Sequence, residues 1–417
     1  MGAALHPGER LPTVRALAAT LKLSPATVAA AFGLLRARGL VAGDGRRGTT
    51  VSFMPPLAPH GAPVIPADVC NLALGNPDPA LLPDLAAAIA QLQPARRLYG
   101  AAANRPDLIR VALRMFEADG IPARDLAVVG GAFDAIERLF AAHLRPGDRV
   151  AVEDPGYPDV LDLARALGLL VRPVRVDDRG MMAADLARVL KAGVNAIVVT
   201  PRAQNPTGAA FDADRANELR SLIKRSPEVL LIEDDHAGPI AGADAFTLGH
   251  EAHPRWAVVR SVSKFLGPDL RLAIVAGDAL TISRVIGRQR LGTGWVSHIL
   301  QALVAELLDD TTTQKLIRRA AKKYASRRMA LIEALARHGI KAHGRSGLNV
   351  WIPVAEESAT IHVLMTAGWA VAGGERFRIE SAPAIRVTIA ALRRELATGF
   401  AAALARTFDS DGRGRAA

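Results

Sequence analysis

Apolar positions change their period along the chain, and each change marks a unit. Across residues 12–21, Val14, Leu17 and Ala18 recur at helical spacing, which predicts a short helix with one buried face. Ser24 then stands as an N-cap with Pro25 at the first helical position. Val28, Phe32 and Leu35 line a second helix reaching about Ala37, with Gly39 as its C-cap. Leu40, Val41 and Ala42, then the turn residues Gly43, Asp44 and Gly45, then Thr49, Thr50 and Val51 read as a two-stranded hairpin. Together these elements predict a winged helix-turn-helix over residues 1–53.

Residues 54–69 lose the pattern and hold Pro55, Pro56, Pro59, Pro63 and Pro66, which predicts a semi-extended linker. From residue 70 short apolar runs (126–129, 149–153, 196–200, 229–233, 256–260) alternate with helix-length segments. That alternation predicts βαβ units and a mostly parallel sheet, hence an α/β fold over residues 70–408. Residues 299–335 read as helical, a smaller α+β lobe follows, and the polar, Gly/Arg-rich residues 409–417 are expected to be a disordered tail.

Composition narrows the class. A chain of 417 residues, half of them hydrophobic, implies more than one unit and a sizeable core. No apolar run reaches the ~18 residues of a membrane span. Glu9 and Arg10 interrupt the weakly apolar start, so no secretory signal is expected. Cys70 is the single cysteine, which excludes an intramolecular disulfide and a C-x-x-C metal site. A cytoplasmic protein without a metal is the expectation. Net charge is +11, which favours anionic partners such as nucleic acid but also follows from an Arg- and Ala-rich, GC-biased coding sequence. The local distribution sharpens this: residues 1–53 carry seven basic residues against two acidic ones. Arg10 and Arg15 sit at the first helix, Arg46 and Arg47 at the hairpin tip, and Ser24 and Thr27 open the second helix. Such a unit offers the wing to phosphates or the minor groove and the second helix to the major groove, although a solvated basic face is the plain alternative.

Five motifs fall at the ends of predicted strands, where open α/β sheets bind ligands. Gly130, Gly131 and Ala132 lead from a strand into a helix, a place suited to a phosphate. Tyr157, after Asp154, Pro155 and Gly156, places an aromatic where a flat ring could stack. Asn205, in Asn-Pro-Thr-Gly, can donate a hydrogen bond to a ring oxygen. Glu233, Asp234, Asp235 and His236 offer a carboxylate to a protonated pyridine nitrogen. Ser261, Val262, Ser263 and Lys264, with Arg271 beyond, combine a lysine beside a buried strand with phosphate ligands. Taken singly, each motif also reads as an ordinary turn, cap or surface residue.

In this order the phrases resemble the fold-type I aminotransferase family from about residue 70 onward. The resemblance implies pyridoxal 5'-phosphate as cofactor and Lys264 as its Schiff-base lysine. It further implies Asp234 on the pyridine nitrogen, Asn205 on the ring 3-oxygen and Tyr157 on the ring face. Gly130, Gly131, Ala132, Ser261, Ser263 and Arg271 are implied around the phosphate. Tyr99 in Leu-Tyr-Gly is implied to reach the neighbouring subunit's site, hence a homodimer, and Arg386 to hold a carboxylate of substrate or effector. His236 stands where that family has tyrosine, which disfavours efficient transamination more than cofactor binding.

Residues 7–15 and 23–28 likewise resemble the GntR winged helix, with two departures. The family has a full helix before Pro7-Gly8, so either an upstream start or a head lacking that helix is expected. Pro25 and Ala26 follow Ser24 where the family has arginine, which removes one DNA contact. A GntR head on an aminotransferase-like body is the layout of MocR-type regulators. Phrases of the body are similar to a member that controls a pyridoxal kinase gene, which implies a cofactor-sensing, DNA-binding regulator of vitamin B6 salvage. The alternatives are an aminotransferase with a vestigial head, using Lys264 as acid/base and Arg386 as clamp, or a cofactor-storage protein.

Overall fold

The computed structural model describes residues 8–37, 40–43, 48–51, 65–249 and 253–413. In the head, helices Val14–Leu21 and Pro25–Ala37 pack through Ala18, Val28 and Phe32, with Leu11, Val14, Leu17 and Leu35 against them. Thr13 Oγ1 accepts from Ala16 N–H at 3.2 Å, and Lys22 closes the first helix in the left-handed region at φ 54°. Ser24 Oγ accepts from Thr27 N–H at 3.0 Å, the cap expected of it. Strands Val41–Ala42 and Thr50–Val51 pair antiparallel. Residues 8–11 lie along them, with Leu11 N–H donating to Thr49 O and Gly8 N–H to Val51 O. Gly39, Asp44, Gly45, Arg46, Arg47 and the linker prolines before Pro66 lie outside the described residues.

The body is built on an eight-stranded sheet. Its order is Asp125–Val129, Ala273–Gly277, Trp256–Ser261, Leu230–Asp235, Ala196–Val199, Arg149–Asp154, Leu170–Asp177 and Gly180–Met181. The five strands from Trp256–Ser261 to Leu170–Asp177 run parallel. Ala273–Gly277 is antiparallel to both its neighbours and Gly180–Met181 is antiparallel to Leu170–Asp177, so the expected mostly parallel sheet carries two reversed strands. The central strands are largely apolar because helices bury both faces.

The helical stretch expected over 299–335 is two helices, His298–Asp309 and Thr311–Arg337. Asp310 adopts an extended conformation and its carboxylate accepts from the N–H groups of Thr312 and Thr313, so it ends one helix and caps the next. A smaller antiparallel sheet follows, ordered Asn349–Pro353, Ala384–Thr388, Ala372–Gly373, and Cys70–Asn71 pairs in parallel with Trp369–Ala370. The last helix, Ala397–Arg413, buries Phe400 and Leu404 and runs into the segment expected to be disordered from residue 409. Elongating a helix already anchored by its apolar face needs no new nucleus, which is why a polar end continues it.

A polar cluster around Asp235 sits inside this core. Asp235 takes Arg202 Nε and Nη2, each at 2.9 Å, and Arg260 Nε at 2.9 Å; Asp119 Oδ2 takes both guanidinium groups from the far side. Arg260 also lies over the Phe116 ring, 4.7 Å from its centroid. Burial raises the Asp235 carboxyl, but Arg260 and Arg202 more than reverse that and hold it well below the usual carboxylate range. Asp235→Ala would leave two buried guanidinium groups short of their anion, so urea denaturation should show a loss of about 3–5 kcal/mol.

Candidate cofactor site

Strand alternation sorts the acidic motif. Side chains at odd and even positions of Leu230–Asp235 point to opposite faces. Glu233 and Asp235 fall on the face of Leu231, and Asp234 on the face of Leu230 and Ile232. Both aspartates lie within the strand, where the sequence placed them just after it. Glu233 is tied to the backbone N–H groups of Leu248 and Gly249, and Asp235 to the arginines. Asp234 differs: its Oδ1 is buried and no hydrogen-bond partner reaches it. Burial first, and then the neighbouring Asp235 charge, raise its carboxyl to about 7.

Lys264 comes three residues after the strand Trp256–Ser261. Its Nζ donates to Gly75 O at 2.7 Å. Burial and the Arg386 charge pull the amine down to about 8, with Asp234 working the other way. Ser261, on the odd face shared with Val259, gives its hydroxyl to Ser263 Oγ at 3.0 Å and accepts from Ser263 N–H at 3.2 Å. Gly131, at φ 115°, is the N-cap of the helix Ala132–His143, and a Cβ there would come within 3.3 Å of Arg271 Nη2. The close approach of Arg271 therefore depends on glycine at 131. Glycine backbone, helix N-terminus, two serines and an arginine thus gather at one corner, a set of donors suited to a phosphate.

Tyr157 and Asp234 line one cavity with Val152, Val160, Val198 and Thr200. Tyr157 OH donates to Asp159 Oδ2 at 2.7 Å. Asn205 Oδ1 accepts from Arg386 Nη1 at 3.2 Å and from Asn349 Nδ2 at 3.3 Å, so its own amide N–H groups are what it can offer a ring oxygen. Arg386 is buried, donates also to Ala73 O, lies 4.8 Å from the Phe377 ring centroid and, among the described residues, has no carboxylate partner. Burial lowers it to about 10. His236 follows Asp234 and Asp235 at the strand's end; burial and the nearby Lys264 charge push its imidazole down to about 4, so it is neutral at neutral pH.

Tyr99 stands apart. It is 92% exposed, edge-on to Trp295 at 5.7 Å, and does not enter the pocket of its own chain. In the head, Arg15 is exposed and Arg10 bridges to Thr50. Reading side chains missed the Gly75 and Ala73 carbonyls, because backbone acceptors carry no residue signature. It also missed Asn349, an unremarkable strand residue in sequence.

A buried carboxylate without a donor, an amine kept partly unprotonated, an aromatic beside the carboxylate and a donor-lined corner are what a phosphorylated pyridine aldehyde requires. The pocket fits pyridoxal phosphate.

Comparison with known proteins agrees. Residues 67–404 match the aminotransferase class I and II family, and residues 1–51 the gntR family of bacterial regulatory proteins. The chain is 41% identical to the vitamin B6 salvage pathway transcriptional repressor PtsJ of Salmonella typhimurium, over 93% of this chain and 91% of that protein. It is 27% identical to the HTH-type transcriptional regulator TauR of Rhodobacter capsulatus, over 82% and 78% of the two chains. The crystal structure of Pyrococcus horikoshii kynurenine aminotransferase shares its fold, with TM-score 0.73 and 23% identity over 83% of this chain and 92% of that one. This chain therefore belongs to the aminotransferase class I and II family and, with its gntR-family head, to the MocR-type regulators.

Proposed function

We propose that this protein is a homodimeric, DNA-binding regulator that senses pyridoxal phosphate and adjusts vitamin B6 salvage. One observation carries the reading: a pocket with an unpartnered buried Asp234, within electrostatic reach of the Lys264 amine, lies in the same chain as a winged helix-turn-helix. The kinship with PtsJ supplies the pathway. The domains are residues 1–53 for DNA, 54–69 as linker and 70–408 for the cofactor, in cytoplasmic surroundings.

When bound, pyridoxal phosphate supplies an aldehyde for a primary amine and an electron-withdrawing ring. Lys264 would hold the aldehyde carbon, letting go of Gly75 O to do so. Asp234 would pair with the ring nitrogen and hold a proton there. Asn205 would donate to the ring 3-oxygen with neutral His236 beside it, and Tyr157 would cover the ring face. Gly130, Gly131, Ala132, Ser261, Ser263 and Arg271 would hold the phosphate. Exposed Tyr99 would reach the second subunit's phosphate, and Arg386 would take the carboxylate of an effector. Arg10, Arg15, Ser24, Thr27, Arg46 and Arg47 would meet the duplex. Regulation then requires that cofactor bind the DNA-competent and incompetent arrangements with different affinity.

A transaminase is the second reading, favoured by a buried Arg386 that has no carboxylate partner among the described residues. Rapid loss of the cofactor absorption band with many amino acids in single-turnover mixing would support it.

Lys264→Ala should abolish the band of the lysine-held aldehyde in the reconstituted protein; a retained band would refute the assignment. Capture needs the unprotonated amine. Its stopped-flow rate should therefore rise about tenfold per pH unit below pH 8 and level off above. In gel shifts with the DNA upstream of its own gene and of a neighbouring kinase gene, affinity should differ with and without pyridoxal phosphate. Identical binding in both would remove the sensing role.

A further inference from the structure

The helix Thr311–Arg337 carries a feature that neither the pocket nor the head uses. Lys315, Arg318, Arg319, Lys322 and Lys323 are all exposed and fall at positions i, i+3, i+4, i+7 and i+8, so they share one side of the helix. The other side is buried through Ile317, Ala320, Tyr324 and Leu331. No acidic residue occurs on the helix before Glu333. Among the described residues, none of the five makes a hydrogen bond or ion pair. Cations that the fold itself employs on this helix are treated differently. Arg327 pairs with Asp78 at 2.8 Å, and Arg328 donates to Gly347 O at 2.8 Å and Arg345 O at 3.1 Å.

Such a stripe works against the helix. Like charges three and four residues apart repel, and these five residues form several such pairs with no carboxylate between them. Their side chains border a shallow surface groove with Ser326. An anion running along the helix axis would relieve the repulsion at all five positions together. From Lys315 to Lys323 the helix rises about 12 Å, and one DNA strand presents a phosphate about every 3.4 Å, so about three phosphates match the stripe. The chain already has a DNA-binding head.

We infer that this helix face of the body is a second, sequence-independent contact for duplex DNA, engaging phosphates beyond the stretch held by the heads. It adds affinity and salt dependence without reading bases. It rests on DNA binding by the head and is independent of the cofactor response.

The test uses the full-length protein and two random-sequence duplexes: one of roughly 20 base pairs, about two helical turns, and one of roughly 60. Affinity is measured by fluorescence anisotropy across a salt series. The variant Lys315→Gln/Arg318→Gln/Arg319→Gln/Lys322→Gln/Lys323→Gln keeps helix-forming residues and relieves the repulsion. Each phosphate contact contributes about 0.9 to the slope of log affinity against log salt, so the long-duplex slope should fall by about 2 to 3 and the short-duplex slope should hold. A variant exchanging lysine for arginine and arginine for lysine at the five positions should keep the original slope. An unchanged slope on the long duplex overturns the inference, and so does an equal loss at both lengths, which a diffuse change of net charge would produce. Loss of slope in the exchange variant overturns it as well. Arg15→Ala in the head should weaken binding to both lengths; failure of that expectation would count against the head's assigned residues and leave the stripe comparison intact.

Discussion

Asp234 and Asp235 are neighbours on one buried strand, and the protein balances only one of them. Asp235 is matched by two guanidinium groups and shared with Asp119, which locks the central strands to the surrounding helices. Asp234 points the other way, toward a cavity it lines with Tyr157 and Thr200, with no donor on Oδ1. An ionised carboxylate in such a place is costly, and proteins meet that cost by neutralising the group or supplying a cation. Here the carboxyl is pushed up to about 7, so at neutral pH it waits close to the point of ionisation. The cluster around Asp235 makes this tenable, because it fixes the strand and so denies Asp234 any relaxation toward water.

The rest of the pocket follows from that frame. Ser261 ends the strand that pairs in register with the one carrying Asp234, and Lys264 and Arg271 lie in the connection from it to Ala273–Gly277. Tyr157 follows Asp154, whose carboxylate is held by the backbone of residues 379–381 in the smaller lobe. Asn205 is steadied by Arg386 and Asn349 from that lobe as well. Asn205 and the turn before Tyr157 are therefore oriented by contacts from another part of the fold, which is one way a binding site gains preorganisation.

Much of this was legible in the sequence for a definite reason. Apolar runs of strand length followed by Gly-Gly, Asn-Pro-Thr-Gly, the acidic motif and Ser-Val-Ser-Lys carry both topology and chemistry in consecutive residues. The head was legible because Ser24, Pro25 and the spacing of Val28, Phe32 and Leu35 obey local capping and helical periodicity. What escaped was mostly non-local. The reversed direction of Ala273–Gly277 leaves no mark in its residues, because it is buried on two faces as the parallel strands are. The break at Asp310 is a one-residue cap within an otherwise helical pattern. The two carbonyls that hold Lys264 and Arg386 come from residues 73–75, nearly two hundred positions or more from their partners. A basic face on the helix Thr311–Arg337 was visible as residues, but only its burial pattern separates the paired cations from the free ones.

The strand Cys70–Asn71 is short, yet its position has a wider meaning. It pairs with Trp369–Ala370, and Leu72 O accepts from Thr388 N–H. The smaller lobe is thus woven from both ends of the body, and no single cut of the polypeptide can excise it. A shortened protein ending before residue 369 would lose the edge against which its own first strand is laid. The same weaving means that the polypeptide enters the body through this lobe and not through the large sheet.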